Sequence, residues 1–334
     1  MASLSPVSGS AAEILELLQD WDRAADPPPL VIATSGSTGE PKKVMLSRAA
    51  MRASVDATHD RLGGPGQWLL NVPPAYVAGV QVLFRSVRAG TEPVLSDGDP
   101  AADRERMTGR RTYLSLVPTQ LHRLLATHAE VLGRFDAVLV GGGPTHPADL
   151  DAAGRAGVNV VRTYGMSETC GGCVYDGRPL DGVEIRIDSD RILLRGPMLF
   201  SGYQDEPERT AAAFEDGWLR THDLGRLDDG VLSVTGREDD VIISGGVKVP
   251  AVAVAQMLTA HPDITETCVV GVPDADWGER VVAAVVVPSN WQCPDLRTLV
   301  TPAAWVPKQV LPVRRLPLLA NGKVDRLAVR RMFA

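Results

Sequence analysis

Short apolar runs alternate with helical patterns through the first half of the chain, and this alternation constrains the fold more than any other feature. Such alternation is typical of an α/β layered domain with a largely parallel sheet. We therefore predict the α/β class, with a large layered domain at the N-terminal end. The predicted strands are 30–34, 68–72, 113–117, 137–140 and 158–163, and the predicted helices are 47–62, 77–89, 119–127 and 147–156.

The sequence pattern changes after Gly182, where short strands are separated by Asp-Gly and Gly-Tyr turn signals. A small β-rich subdomain is predicted there. Beyond residue 238 the pattern predicts a separate, small and mobile α+β domain, so the domains are expected at 1–238 and 239–334. The predicted strands are 183–187, 192–195, 231–235, 267–272 and 280–287, and a helix is predicted near 252–260.

Composition narrows the functional class. The chain has 334 residues, 44% of them hydrophobic, and a net charge of −7. This charge argues against a broad nucleic-acid-binding face and fits an enzyme acting on small molecules. The N-terminus lacks a basic region followed by an apolar stretch, and the longest apolar run, 281–287, is too short to cross a bilayer. We therefore expect a cytoplasmic protein without membrane insertion.

The segment 34–43, TSGSTGEPKK, follows an apolar strand and precedes a predicted helix. Its glycines let the backbone approach a polyphosphate, its hydroxyl groups supply hydrogen-bond donors, and Lys42 adds positive charge. A Walker loop is a poor match because Glu40 and Pro41 separate the last glycine from the lysine. The segment is predicted to bind phosphate, and the alternative is a flexible surface turn.

Two further motifs end predicted strands, at 141–144 (GGGP) and 164–168 (YGMSE). The carboxyl ends of strands are where α/β sheets bind ligands. Tyr164 offers a flat face for an adenine ring and the glycines offer a flat floor. Glu168 would then lie near phosphates, where a carboxylate makes sense only with a divalent cation to hold.

An acid and a guanidinium group follow in the β-rich region, at Asp223 and Arg237. Together they have the groups needed to hold two ribose hydroxyls, and the alternative is an interdomain salt bridge. Cys170 and Cys173 have CxxC spacing, but the chain has no second such pair, so we favour a wall beside a binding site over a metal or redox centre.

These motifs, in this order, resemble the adenylate-forming superfamily of acyl-CoA ligases, peptide-synthetase adenylation domains and luciferases. The resemblance extends from Val31 to Arg326 and implies ATP, Mg²⁺ and coenzyme A as cofactor and co-substrates. It implies catalytic roles for Lys323, Glu168 and Thr38, with Glu168 as the magnesium ligand and Asp239 as an interdomain hinge. The implied nucleotide-binding residues are Thr34, Ser35, Gly36, Ser37, Thr38, Gly39, Lys42, Gly141, Gly142, Tyr164, Gly165, Ser167, Asp223 and Arg237.

The short segment before the loop and the motifs 74–82 and 167–177 are similar to those of the o-succinylbenzoate-CoA ligases of menaquinone synthesis. This resemblance implies ATP-dependent adenylation of a carboxylic acid and then thioester formation, with release of AMP and pyrophosphate. Tyr76 is implied as an aromatic gate to the acyl pocket and Gly171 as part of its wall. Arg85 and Arg88 could reach a second carboxylate of the acid, but on a helix that faces water they are interpreted as solvated side chains and are left out of the site.

Three alternatives stay open at this point. The first is a ligase that acts on another aryl or medium-chain carboxylic acid. The second is an enzyme that loads the activated acid onto a separate carrier protein, and the third is a non-catalytic nucleotide-binding module. Since only a few residues follow Lys323, no fused carrier domain is expected, and a homodimer is left open.

Overall fold

The computed structural model describes residues 5–34, 42–319 and 322–333. The chain folds as two compact units. The first unit comprises the residues up to 186 together with 193–220 and 229–232, and the second comprises 187–192, 221–228 and 233 onwards. The predicted domain boundary between residues 238 and 239 stays a prediction.

A seven-stranded sheet forms the centre of the first unit, in the order β4-β3-β5-β6-β7-β8-β9. The strands from β4 to β7 are parallel, and β8 and β9 are antiparallel. The α/β class predicted from the alternation is therefore confirmed. The helices are α1 (Ala11–Arg23), α2 (Arg48–Arg61), α3 (Val77–Ala89), α4 (Pro100–Glu105), α5 (Pro118–Leu132) and α6 (Pro147–Arg155), and the strands are β1 (Leu30–Ala33), β2 (Lys43–Leu46), β3 (Gln67–Leu70), β4 (Val94–Leu95), β5 (Thr112–Leu116), β6 (Ala137–Gly141), β7 (Val160–Met166), β8 (Gly171–Tyr175) and β9 (Arg178–Pro179).

Both faces of this sheet are covered, as the apolar character of its strands requires. Leu69 and Leu114 pack with Leu121 of α5 in one buried cluster. The neighbouring residues Trp68 and Tyr113 point to the opposite face, because side chains alternate along a strand, and their rings lie 5.0 Å apart. Helix α3 contacts β3, α2 and α1, so these three helices pack together in the first unit.

The strand predicted over 30–34 is present, but it lies outside the parallel sheet. It is β1, and it pairs antiparallel with β2, which in turn pairs antiparallel with β12 (Gly202–Tyr203). The reason is local: β1 ends at Ala33 and β2 begins at Lys43, too close in sequence for the crossover connection that parallel strands need. This small sheet fixes both ends of the 34–43 segment.

Short antiparallel strands follow, as predicted. Their sheet has the order β10-β11-β14-β13, with β15 paired to β14. The long strand β14 was not predicted; it turns into β15 at Asp229 and Gly230, whose φ angles of 50° and 75° are those of a tight hairpin turn. The elements are β10 (Glu184–Asp188), β11 (Arg191–Arg195), α7 (Pro207–Ala212), β13 (Phe214–Glu215), β14 (Trp218–Asp228) and β15 (Val231–Arg237).

Residues 241–331 of the second unit form a further sheet with helices on its two faces. The order is β17-β16-β19-β18, with β20 paired parallel to β19. Val281 and Ala283 of β19 pack in the cluster of α8, whereas Val282 and Ala284 pack in the cluster of α9. The apolar run at 281–287 is thus a buried strand, as predicted. The elements are β16 (Val241–Ser244), β17 (Val247–Pro250), α8 (Ala251–Thr259), β18 (Glu266–Asp274), β19 (Gly278–Val286), β20 (Gln309–Val313) and α9 (Arg326–Arg331).

No helix within the described ranges has both the length and the apolar character needed to cross a membrane.

Candidate active site

The two ends of the predicted phosphate loop are held together. Thr34 follows β1 and Lys42 precedes β2, and the Thr34 amide donates to the Lys42 carbonyl at 2.9 Å. The Lys42 amide donates in turn to the Thr34 side-chain oxygen at 3.1 Å. Thr34 and Lys42, the residues at which the chain leaves the small sheet and returns to it, therefore lie side by side. Ser35, Gly36, Ser37, Thr38 and Gly39 lie outside the described residues, so their roles stay predictions.

Glu168 is buried near this point, with 8% of its surface exposed. It lies in a single 3₁₀ turn, Ser167–Thr169, directly after β7. The hydroxyl of Tyr203 donates to its Oε1 atom at 2.8 Å. The ring of Tyr203 also lies 5.5 Å from the Lys42 ammonium, so Tyr203 connects the loop lysine with the carboxylate. Sequence analysis used Tyr203 only as a turn signal.

The surroundings of Glu168 fit a magnesium ligand. Among the described residues its carboxylate has no ion-pair partner, and they contain no group of three acidic, histidine or cysteine side chains able to hold a metal alone. Mg²⁺ is commonly held by one or two carboxylates with the remaining ligands from substrate phosphates and water. A single carboxylate beside a phosphate loop matches that donor set.

Two glycine motifs lie at the ends of neighbouring strands. Gly141 pairs with Thr163 on the parallel strands β6 and β7, and Gly142 follows with a φ of 83°. A bulge between Tyr164 and Gly165 interrupts the pairing of β7 with β8. A side chain at Gly165 would approach the Gly171 carbonyl oxygen to 2.0 Å, so only glycine fits there.

The predicted acyl-pocket residues lie around the start of α3. Tyr76 is the residue before the helix and is half-buried. Gly171 lies opposite the same helix, because a side chain there would contact Gln81 at 3.4 Å and Val77 at 4.0 Å. Cys170 and Cys173 are buried beside it, and burial raises the pKa of both thiols, that of Cys173 to about 12. Both thiols are therefore neutral, which fits a wall rather than a reactive pair.

Arg85 was considered in the sequence analysis and left out of the site. Its interpretation as a solvated side chain is wrong, because only 4% of its surface is exposed. Its guanidinium lies 4.9 Å from the Trp68 ring, and Nη2 donates to the hydroxyls of Tyr175 at 3.3 Å and Thr58 at 3.4 Å. The described residues offer it no carboxylate within ion-pair distance, and its Nε atom has no hydrogen-bond partner among them.

The electrostatic effect of Arg85 is seen at His59. Burial, and then the charge of Arg85, lower the pKa of His59 to about 4. His59 is therefore neutral at physiological pH and adds no second charge beside Arg85. A buried cation without a counter-ion is costly, so this position is suited to an anionic group brought by a ligand.

In the second unit, Asp223 and Arg237 lie together. Alternation along β14 turns Thr221 and Asp223 inward, and Asp223 is 6% exposed. Arg237 ends β15 and donates from Nη1 to Asp223 at 2.9 Å, and from Nε and Nη2 to Asp239 at 2.9 and 3.1 Å. Burial of Arg237 opposes its charge, but Asp239 and Asp223 outweigh it and raise the pKa of the guanidinium.

The backbone around Lys323 is hydrogen-bonded within the second unit. Leu318 and Val324 form an antiparallel bridge, and the Leu319 amide donates to the Lys323 carbonyl at 2.8 Å. The side chain of Lys323 is exposed. These backbone hydrogen bonds fix the position of Lys323 within the second unit, and its catalytic role stays a prediction.

Comparisons with known proteins identify the class. The AMP-binding enzyme family matches residues 8–204, and the AMP-binding enzyme C-terminal domain matches 253–323. The chain therefore belongs to the AMP-binding enzymes, and the resemblance inferred from the motifs is confirmed.

Among similar proteins, a probable 2-succinylbenzoate-CoA ligase of Mycobacterium tuberculosis is 46% identical, covering 96% of this chain and 88% of the relative. The o-succinylbenzoate CoA synthetase of Bacillus subtilis in complex with the acyl-adenylate intermediate is 29% identical with a TM-score of 0.79, covering 90% of this chain and 68% of that chain. The same enzyme in complex with ATP and magnesium is 29% identical with a TM-score of 0.78, covering 89% and 69%.

Proposed function

We propose that the protein is a 2-succinylbenzoate-CoA ligase of menaquinone biosynthesis that uses ATP, Mg²⁺ and coenzyme A. The observation that carries this proposal is the 46% identity with a probable 2-succinylbenzoate-CoA ligase over 96% of the chain. The structure supports the choice of a dicarboxylic acid, because Arg85 is a buried cation on α3, the helix that also faces Gly171. One carboxylate of the acid is activated and the other neutralises Arg85.

The reaction has two steps at one acyl group. A carboxylate oxygen of the acid attacks the α-phosphorus of ATP, the bond from this phosphorus to the bridging oxygen breaks, and pyrophosphate leaves. The thiol of coenzyme A then attacks the acyl carbon and loses its proton, and AMP leaves with the bonding electrons. Proximity of the bound reactants and fixed positive charge provide the catalysis.

Individual residues have distinct roles in this proposal. Lys42 and the loop before it hold the phosphates, and Tyr164 stacks on adenine above the floor of Gly141, Gly142, Gly165 and Ser167. Glu168 holds Mg²⁺, which when bound offsets the charge that develops on pyrophosphate. Lys323 approaches the α-phosphate, and Asp239 is the hinge about which its domain turns after adenylation. A cytoplasmic location and a homodimer stay predictions.

The direct test is the product formed with each acid. Purified protein is incubated with ATP, Mg²⁺ and coenzyme A together with 2-succinylbenzoate, benzoate, benzoylpropionate or a medium-chain acid, and the thioesters and AMP are identified by mass spectrometry. We expect 2-succinylbenzoyl-CoA and AMP, with the monocarboxylic acids poor. Another preferred acid would refute the pathway assignment, and AMP formation from no acid would favour the carrier-loading enzyme or the non-catalytic module.

Asp223 is proposed to accept hydrogen bonds from the ribose hydroxyls, because it is buried and its partner Arg237 is held by Asp239 as well. Replacing it with alanine should raise the apparent KM for ATP about 10- to 100-fold, since charge-assisted hydrogen bonds contribute about 1.5–3 kcal/mol. The apparent KM for the acid should change little.

Asp228→Ala on the same strand is the matched control, because Asp228 is exposed. Steady-state kinetics at varied ATP concentration distinguish the two variants. An unchanged ATP affinity in Asp223→Ala would remove Asp223 from the ribose site.

A further inference from the structure

The side chain of Tyr203 is rigidly held and contacts both Lys42, at the end of the phosphate loop, and the carboxylate of Glu168. Its backbone pairs with Val44 of β2, and its amide donates to the Thr210 hydroxyl at 2.8 Å. The Phe200 ring packs edge-on against it at 4.9 Å. With 6% of its surface exposed, the ring has little freedom to turn.

The hydroxyl of Tyr203 constrains one oxygen of Glu168. It donates to Oε1 at 2.8 Å, and this bond directs the carboxylate plane. Groups that hydrogen-bond to a metal ligand without contacting the metal commonly fix the orientation of that ligand. Their loss typically lowers metal affinity or activity about 10- to 100-fold.

The ring of Tyr203 lies between two cations. The Lys42 ammonium is 5.5 Å from the ring centroid and the Arg209 guanidinium is 5.2 Å from it. Arg209 is also paired with Glu206 at 2.7 Å. The aromatic face attracts the Lys42 cation and limits the positions that its side chain samples.

We propose that Tyr203 is a positioning residue that orients Glu168 toward Mg²⁺ and Lys42 toward the phosphates before ATP binds. This inference rests on the proposed function, in which Glu168 holds the metal. In this inference Tyr203 connects Glu168 and Lys42. Its hydroxyl orients the carboxylate that holds the metal, and its ring positions the lysine that binds the phosphates. Removing the hydroxyl alone should therefore impair metal-dependent binding selectively.

The test measures ATP binding without any acid, so that no turnover occurs. Isothermal titration calorimetry gives the Kd of ATP with and without Mg²⁺, and their ratio is the gain in affinity that the metal provides. Tyr203→Phe should reduce this gain about 10-fold while leaving the Kd without Mg²⁺ unchanged. Tyr203→Leu, which also removes the ring, should weaken ATP binding even without Mg²⁺.

Tyr113→Phe is the matched control, because Tyr113 is another buried tyrosine whose hydroxyl donates to backbone carbonyls, at 2.8 Å to Gly64 and 3.2 Å to Leu62. It should lose a comparable amount of stability in thermal unfolding and keep the metal-dependent gain. In a Glu168→Gln background, Tyr203→Phe should have no further effect on that gain, because the hydroxyl acts through the carboxylate.

An unchanged metal-dependent gain in Tyr203→Phe would overturn the inference, and so would an equal loss in Tyr113→Phe. This failure is distinguishable from failure of the proposed function. If the wild-type protein forms 2-succinylbenzoyl-CoA and Tyr203→Phe binds ATP and Mg²⁺ normally, only the role of Tyr203 is refuted. If the wild-type protein activates no acid but the gain falls as expected, the role of Tyr203 stands and the proposed acid does not.

Discussion

Replacing Lys323 with alanine is expected to slow formation of the acyl-adenylate about 10²- to 10³-fold, the usual loss when one group stabilising transition-state charge is removed. The ammonium group is the cation proposed to meet the charge that develops at the α-phosphorus. Because the side chain of Lys323 is exposed, its truncation is expected to change the stability of the second unit little. The Kd of ATP should stay close to that of the wild type.

Separate assays of the two half-reactions make this expectation specific. Adenylation is followed by acid-dependent exchange of labelled pyrophosphate into ATP, and thioester formation by the reaction of prepared acyl-adenylate with coenzyme A. Lys323→Ala should lose the first activity and keep most of the second, because the hinge proposal withdraws the lysine after adenylation. An equal loss in both half-reactions would contradict a role confined to adenylation.

Lys248→Ala provides the control for charge. Lys248 is also an exposed lysine of the second unit and lies on β17. Its replacement with alanine therefore removes the same charge from the same unit. Pyrophosphate exchange should be unchanged in this variant. A comparable decrease in both lysine variants would show that net charge, rather than the position of Lys323, is responsible.

Local sequence patterns predicted the buried strands, whose position is determined by the apolar character of short segments. The apolar runs at 68–72, 113–117 and 137–140 are buried strands of the parallel sheet, because such runs have few other stable environments. Helix α1 was missed although its signals are present: Ser10 and Glu13 form a capping box, and Ile14, Leu18 and Trp21 are buried at helical spacing. This omission was avoidable from the sequence.

The contacts around the candidate site were not predictable in the same way. Glu168 and Asp223 stand in recognisable motifs, but Tyr203 reaches Glu168 from a strand that pairs with β2, a pairing that no local pattern reveals. Arg85 follows the pattern of a surface residue, and only the packing of α3 against Trp68 and Tyr175 buries it. Long-range packing therefore determines which charged side chains become part of the site.

Replacing Arg85 with methionine is expected to lower kcat/KM for 2-succinylbenzoate about 10- to 100-fold, because a charge-assisted hydrogen bond to the second carboxylate is lost. For benzoylpropionate, which lacks the ring carboxylate, kcat/KM should stay the same or rise. Methionine fills a similar volume without a charge, so the variant should unfold at the same temperature as the wild type or above it. Steady-state kinetics with both acids and thermal unfolding measure these effects.

Arg88→Met is the matched control on the same helix, because the Arg88 side chain is 31% exposed and already paired with Asp56 at 3.5 Å and with Asp22 at 3.8 Å. It should leave the preference between the two acids unchanged and cost at most about 1 kcal/mol of stability. If Arg85→Met lowered kcat/KM equally for both acids, the buried charge would serve the architecture of the pocket rather than recognition of the second carboxylate. A change in preference confined to Arg85→Met instead identifies Arg85 as the group that distinguishes a dicarboxylic acid from a monocarboxylic one.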